Sequence, residues 1–495
     1  MIDRRKPDVG AVAVTSSDQP SAPQQSQAPL FVDLDGTLLK TDLLHEALLQ
    51  LVRQSIAYLF LIPLWLLKGR AYLKSRVARL VDLNVDLLPH NEEFVRFLGE
   101  EKGRNRTLYL ATASNQAYAD KVARRFGLFD GVIASDDAIN LKGEVKAQRC
   151  IEMCGRFSYA GNDSADFAIF ASAEERFLVN PTRGAARLAR RMPVTRVWGA
   201  PRTSPRVWLR AVRIHQWAKN LLLFVPLLAA HKYFEPDSVL VTAAGFVAFG
   251  LLASATYIIN DLLDLQSDRA HSRKRERPFA SGDLRISEGL AAALLLLTAA
   301  AGVSLSLPPA FGLTLLAYAA GTFAYSAVLK SYVLLDVIAL AALYTVRIIA
   351  GAMLLDVTPS FWLLAFSMFT FFSLALVKRC SELRALQARN TRRATGREYS
   401  VDDYLVMQTF GVAAAFGSVL VMAFFIEASL SSATYGRPLL LWLVLPAYGY
   451  WLCRMWLKTS RMEMHDDPIV FSVRDRGSLV TIGFICLVAV AARFL

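Results

Sequence analysis

The stretch Asn260-Asp261-Leu262-Leu263-Asp264-Leu265-Gln266-Ser267-Asp268 sets three carboxylates at offsets of three and four, directly behind the apolar run Val239 to Ile259. On a helix that spacing stacks them along one face, where they repel one another unless a cation sits among them. Mg²⁺ bridging carboxylates to a diphosphate answers that demand. Five cations follow at once: Arg269, Arg273, Lys274, Arg275 and Arg277. Carboxylates for metal beside cations for phosphate, at the end of a membrane-length segment, describe a site for a diphosphate substrate with a lipid partner. A solvated loop obeying the positive-inside rule accounts for the arginines but not for the repeated aspartates.

A second set of chemical residues lies near the amino end. Leu30-Phe31-Val32 reads as a buried strand, and Asp33-Leu34-Asp35-Gly36-Thr37 follows at its end. Aspartates two apart at a strand's carboxyl edge suit a nucleophile and an acid/base partner sharing Mg²⁺. A second strand ends at Thr112, the run Gly143-Glu144-Val145-Lys146 offers a lysine, and a third strand ends in Gly161-Asn162-Asp163-Ser164-Ala165-Asp166. Their order resembles that of the haloacid dehalogenase (HAD) superfamily of phosphohydrolases. The resemblance implies an α/β, Rossmann-like domain over residues 29–195 with a helical cap at about 38–106. It implies Asp33 as the phosphorylated nucleophile and Asp35 as general acid/base. It also implies phosphoryl contacts from Thr112 and Lys146, and Mg²⁺ held by Asp33, Asp35 and Asp166. One departure stands out: Asn162 follows the glycine where an aspartate is usual, which weakens a metal contact unless Asp163 substitutes.

The elements that must carry these residues divide the chain. Residues 1–28 are polar and without periodicity, and read as a disordered tail with no secretory signal. In the cap region, Ile56 to Leu67 is apolar but too short to cross a bilayer of about 30 Å, so it reads as a cap helix that dips into the membrane surface or an ordinary buried one. An arginine- and proline-rich linker spans 196–212. From 213 to 495 apolar segments near 219–231, 239–260, 289–306, 309–329, 332–354, 361–377, 406–427, 437–453 and 478–494 alternate with polar loops. The expectation is an all-α, polytopic domain of about nine transmembrane helices. Cations concentrate after the second, sixth and eighth segments, which predicts an inner-membrane protein with the amino end and the HAD-like domain on the cytoplasmic side. The net charge of +13 therefore reflects topology and phosphate binding, and no nucleic-acid partner is expected. Five scattered cysteines form neither a CxxC pair nor a zinc pattern.

Charges inside the spans sharpen the expectation. Asp336 and Arg347 lie about three turns apart on one helix and are costly unless paired or facing a polar cavity. The chain carries RxxQWxKN at 213–220, NDxxDxxxDRxHxxKxxRPxAxG from Asn260, YSxxLK at 325–330 and KRxxEL at 378–383. This combination resembles the UbiA superfamily of intramembrane transferases, and within it the decaprenyl-phosphate phosphoribosyltransferase branch. Many superfamily members carry a second DxxxD motif after the sixth span, where this chain has KRxxE. The resemblance implies transfer of phosphoribose from phosphoribosyl diphosphate (PRPP) to a polyprenyl phosphate. Asp261, Asp264 and Asp268 would hold Mg²⁺, with Asn260 orienting the diphosphate. Lys219, Asn220, Arg277, Tyr325, Lys330, Asp336, Arg347, Lys378, Arg379 and Glu382 would line the pocket. An aromatic prenyltransferase is the rival enzyme reading, against which the missing DxxxD counts. A transporter or a membrane-anchored HAD scaffold would need no metal-spaced aspartates.

Overall fold

The computed structural model describes residues 27–136, 141–199, 204–388, 390–392, 397–430, 435–464 and 467–494. Most of the tail expected at 1–28, and also Asp466, lie outside them. The chain forms two compact units, one of Met1–Leu39, Trp65–Arg79 and His90–Pro201, the other of Lys40–Leu64, Leu80–Pro89 and Arg202–Leu495.

The first unit is built on a six-stranded parallel sheet: β1 (Leu30–Val32), β2 (Leu108–Asn115), β3 (Gly131–Ser135), β4 (Ser158–Gly161), β5 (Arg176–Val179) and β6 (Arg196–Trp198). Leu30, Phe31 and Val32 are buried, as a central parallel strand covered on both faces requires. The strand order β3-β2-β1-β4-β5-β6 spreads to either side of β1, which opens a crevice at the carboxyl ends of β1 and β4. Residues 196–198, expected as linker, instead form the edge strand, because Trp198 buries its ring against Phe94, Phe97 and Phe177. At the sheet's amino end Arg106 ties four elements together. It donates to the Ala28 carbonyl at 2.9 Å, to Glu101 and Ser158 at 2.7 Å each, and to Glu175.

The second unit is helical. Among the described residues seven helices are long and apolar enough to cross a membrane: Pro236–Leu263, Ile286–Leu305, Pro309–Ala327, Leu335–Leu354, Phe361–Gln387, Val401–Ala428 and Arg476–Phe494. The two other expected segments are interrupted. Ile214–Phe224 is 3₁₀ and passes into Val225–Ala229, and Pro438–Leu443 is 3₁₀ and passes into Val444–Ser460. Pro226 and Pro438 stand in the first turn of new helical segments, where a missing N–H costs least. A 3₁₀ turn rises about 2.0 Å per residue against about 1.5 Å in an α-helix, so these composites reach about 30 and 37 Å. Both suffice for the roughly 30 Å of a bilayer core.

Small residues let the 3₁₀ segment sit deep among the spans. A Cβ on Gly351 would lie 2.2 Å from the Leu223 carbonyl oxygen, and one on Gly250 would lie 2.7 Å from the Trp217 ring. Backbones approach this closely only where side chains are absent. The helix Leu43–Gln54, capped by Asp42, belongs to the same unit, and its Leu49 packs against the cluster of Leu262, Leu265, Phe279 and Leu284.

Candidate active sites

In the first unit the crevice gathers all five expected residues. Asp33 leaves the end of β1, and its backbone N–H donates to the Ala160 carbonyl on β4 at 2.9 Å. Lys146, on the helix Glu144–Cys154, donates to Asp33 at 2.7 Å and to the Tyr159 hydroxyl at 2.9 Å, and lies 3.9 Å from Asp166. Burial pushes the Asp33 carboxyl up to about 6; Asp166 adds to that, and the Lys146 cation opposes it. Thr112 and Ser114, both on β2, donate to Asp35 at 3.5 and 2.5 Å. Thr112 is thus placed beside the second aspartate, and Ser114 joins a site in which the sequence did not mark it. Its signal was present in the pattern Thr112-Ala113-Ser114, two hydroxyls on one side of a strand end.

The departure at Asn162 has a structural consequence. Gly36, at φ +79°, brings the aspartate loop against the Asn162 amide so closely that a Cβ there would lie 2.1 Å from its nitrogen. Asp163 does not substitute for it. Its carboxylate accepts from the Ser164 N–H at 2.7 Å and from the Thr182 hydroxyl at 3.2 Å, capping the next turn. Asp166 accepts from the N–H groups of Asn162 and Asp163, at 2.9 Å each, and from Tyr159 at 3.1 Å. The hard oxygen donors of Asp33 and Asp166, buried close to one another, suit a divalent cation. Mg²⁺ there would be held by these two groups.

In the second unit the aspartate-rich stretch ends one helix and begins another. Pro236–Leu263 stops at Asp264, and Leu265–Ala270 starts directly after it. Asp261 and Asp268, two turns apart, share the same nitrogen of Arg277, at 3.0 and 2.7 Å, and Asp261 also accepts from Arg213 at 2.5 Å. They belong to successive helices and meet on Arg277. Burial pushes Asp268 up, and Arg277 opposes that. Asp264 turns elsewhere, 3.8 Å from Lys330 and 3.6 Å from Arg53. Among the described residues no three acidic, histidine or cysteine side chains converge into a closed metal site. The arrangement instead suits Mg²⁺ held by one or two carboxylates, its remaining positions left to substrate phosphate and water.

These residues open into a cavity of about 500 Å³. Among the described residues nine lysines and arginines line it against two carboxylates, Asp261 and Asp264, so its field selects polyanions. Asn260, Lys219, Arg277, Tyr325, Lys330, Arg347 and Lys378 all belong to this lining. Burial pushes the Lys274 amine down, and Arg277 adds to that. Arg347 donates to Asn220 at 3.1 Å, to the Tyr318 hydroxyl at 2.9 Å and to the Leu343 carbonyl at 2.5 Å. Asp467 organises a further edge, accepting from Lys219 at 2.7 Å and Tyr344 at 2.9 Å, with Lys378 at 3.6 Å. Burial alone would raise the Asp467 carboxyl, but Lys219 and Lys378 hold it well below the usual range.

Asp336, Arg379 and Glu382 are placed differently from the expectation that they line the pocket. Arg379, fully buried, donates to Asp336, to Glu382 at 2.6 Å and to the Tyr325 hydroxyl at 2.9 Å. Tyr399 also donates to Asp336, and Arg397 donates to Glu382 at 2.7 Å. Their charges are matched within this network, and Tyr325 and Arg397 carry its effect to the cavity wall. A sequence shows that such charges must be paired but not with which partner. Arg213, Arg53 and Asp467 are the cavity residues or partners whose roles the sequence did not single out. Arg213 stood within RxxQWxKN, and Asp467 lies in the run Asp466-Asp467-Pro468.

Comparison with known proteins finds a family for each unit. The UbiA prenyltransferase family profile matches residues 221–476, and the haloacid dehalogenase-like hydrolase profile matches residues 30–154. The uncharacterized protein y4nM of Sinorhizobium fredii is 38% identical over 469 residues, covering 92% of this chain and 90% of its own length. The nodulation protein NoeC of Azorhizobium caulinodans is 32% identical over 276 residues, 56% of this chain and 89% of that protein. The decaprenyl-phosphate phosphoribosyltransferase of Mycolicibacterium smegmatis is 34% identical over 211 residues, 42% of this chain and 66% of the relative. This chain belongs to the UbiA prenyltransferase family, a multi-helix membrane enzyme carrying an amino-terminal HAD-like hydrolase domain.

Proposed function

We propose that the helical unit transfers 5-phosphoribose from PRPP to a polyprenyl phosphate, and that the HAD-like domain then removes the 5-phosphate to give a polyprenyl-phosphoryl-ribose. The observation that carries this reading is the cavity's charge: nine cations against two carboxylates, beside the aspartate-rich stretch. PRPP brings a diphosphate and a separate phosphate, and the acceptor brings a third phosphoryl group, so both substrates are anionic. A relative named as a phosphoribosyltransferase supports the choice of donor.

Asp261 and Asp264, the two carboxylates lining the cavity, would hold Mg²⁺ with substrate phosphate and water completing its shell, and when bound it neutralises charge on the departing diphosphate. Asn260, Arg213 and Arg277 orient that end. The bond from the anomeric carbon to the diphosphate breaks as a phosphate oxygen of the acceptor bonds to the carbon, and the diphosphate leaves with the electron pair. The acceptor is already an anion, so no strong base is required. Lys330 and Lys378 stand where a second phosphoryl group needs cations, which accords with KRxxE in place of DxxxD.

In the HAD-like domain Asp33 would attack the 5-phosphorus while Asp35 protonates the departing ribose oxygen. Water then hydrolyses the aspartyl phosphate with Asp35 as base. Lys146 holds Asp33 and meets the phosphoryl oxygens, and Mg²⁺ held by Asp33 and Asp166 would complete charge neutralisation. The cation-rich loops after the second, sixth and eighth segments support a cytoplasmic position for both sites.

Purified protein incubated with radiolabelled PRPP, Mg²⁺ and a short polyprenyl phosphate should move label into organic solvent, in a product that lacks the 5-phosphate. Asp33→Asn should leave transfer intact and let the phosphorylated lipid accumulate. No label in the lipid phase, with turnover of a prenyl diphosphate and an aromatic acid instead, would refute the donor assignment. A wild-type product that keeps its phosphate would refute the role of the HAD-like domain.

A further inference from the structure

The helix Leu43–Gln54 lies in the stretch matched by the hydrolase profile, well before the residues matched by the transferase profile. It nevertheless belongs to the helical unit, and two of its side chains engage the aspartate-rich stretch. Glu46, 3% exposed, accepts a two-point contact from Arg269 at 2.6 and 3.0 Å and a third hydrogen bond from Thr41 at 2.6 Å. Arg269 directly follows Asp268 and uses its remaining Nε to donate to the Ala280 carbonyl at 3.0 Å. Every strong polar group of this buried pair is matched, so the pair fixes geometry between the two segments.

Seven residues on, two turns along the same face, is Arg53. Its guanidinium donates to the Leu263 carbonyl at 3.4 Å and lies 3.6 Å from Asp264. Arg53 is half-exposed and lines the cavity beside Asn260, Asp264 and Lys330. The contact to Asp264 is longer than a hydrogen bond, so most of the donor fork remains available to an anion.

The geometry points to Arg53 as a phosphate-binding residue of the transferase cavity, positioned by the Glu46–Arg269 pair. The excursion at Lys40–Leu64 therefore completes the transferase site, and residues 213–495 alone lack one of its cations. The ligand is a Mg²⁺-bound diphosphate; assigning that diphosphate to PRPP rests on the function proposed above.

The test measures binding of Mg²⁺-pyrophosphate to full-length protein in nanodiscs by calorimetry, together with transfer kinetics. Arg53→Ala should weaken pyrophosphate binding by about tenfold, the loss of one charge-assisted hydrogen bond. The KM for PRPP should rise by the same factor with kcat nearly unchanged, the pattern of an interaction made equally in ground and transition states. Arg53→Lys should restore part of the affinity, and His45→Ala, on the same helix outside the cavity, should match wild type. Glu46→Gln should shift the same constants in the same direction and by less. Unchanged pyrophosphate affinity in a normally folded Arg53→Ala protein, or in Arg53→Gln should Ala misfold, overturns the inference. Pyrophosphate binding that depends on Arg53, in a protein that transfers nothing from PRPP, upholds it and refutes the proposed donor.

Discussion

Replacing Arg347 with methionine separates a charge kept for substrate from one kept for the fold. Arg347 lies within the Leu335–Leu354 span, 4% exposed, and its partners among the described residues are neutral: Asn220, the Tyr318 hydroxyl and the Leu343 carbonyl. The Tyr318, Phe249 and Tyr344 rings stand 4.8, 5.2 and 5.5 Å from its guanidinium. A cation held inside a span costs about 2.5–3.5 kcal/mol by insertion scales. Three hydrogen bonds from the guanidinium to uncharged acceptors return about 1 kcal/mol each. Removing the charge and its bonds should therefore change stability by no more than about 1 kcal/mol, which a thermal shift in detergent measures. Phosphoryl binding should respond differently. One lost charge-assisted bond is worth about 1.5–3 kcal/mol, so the affinity for Mg²⁺-pyrophosphate, or kcat/KM for transfer, should fall about 10- to 150-fold. Arg347→Lys keeps the charge but not the planar fork and should fall between. A variant that loses several kcal/mol of stability while binding pyrophosphate normally would refute this reasoning and make Arg347 a structural group.

Further outcomes follow from the same geometry. With Asp33 raised to about 6 by burial, the stability tied to its protonated form is present below about pH 4 and lost as pH rises through 6. In Mg²⁺-free protein Asp33→Asn should therefore stabilise the amino-terminal domain at pH 7 and not at pH 4, by denaturant titration of the two proteins. Arg106→Met should destabilise that domain by about 1–3 kcal/mol, because Glu101, 3% exposed, keeps only its contact to the exposed Arg104. Glu101→Gln in the same chain should restore part of the loss. The helix Tyr58–Leu67 is apolar along its whole length and buries no residue, with Phe60 and Leu67 exposed by 74% and 84%. Lys68 and Arg70 follow it. It should lie in the bilayer interface, so brominated lipid should quench Trp65 fluorescence in a chain whose other tryptophans are replaced.

What could be read from the sequence was what local geometry dictates. A strand followed by Asp33 and Asp35 has one way to present them, and the crevice between β1 and β4 follows from the parallel order. Asp261 and Asp268, seven apart, were expected on one face, and they meet on Arg277 although they belong to successive helices. Asp264 escaped that face because the helix breaks at its position, a backbone event that carboxylate spacing does not encode. Asp336 and Arg379 show the same limit from the other side. Each had to be neutralised, and their mutual contact spans forty-three residues of chain. Arg53 was the least visible, since it lies in the hydrolase half of the chain and its only sequence signal is the two-turn spacing from Glu46. That spacing gains meaning once Arg269 is seen to bury against Glu46. The chemistry of each site is thus written in short motifs, while the place of the helix Leu43–Gln54 within the helical unit is set by a contact spanning 223 residues of chain.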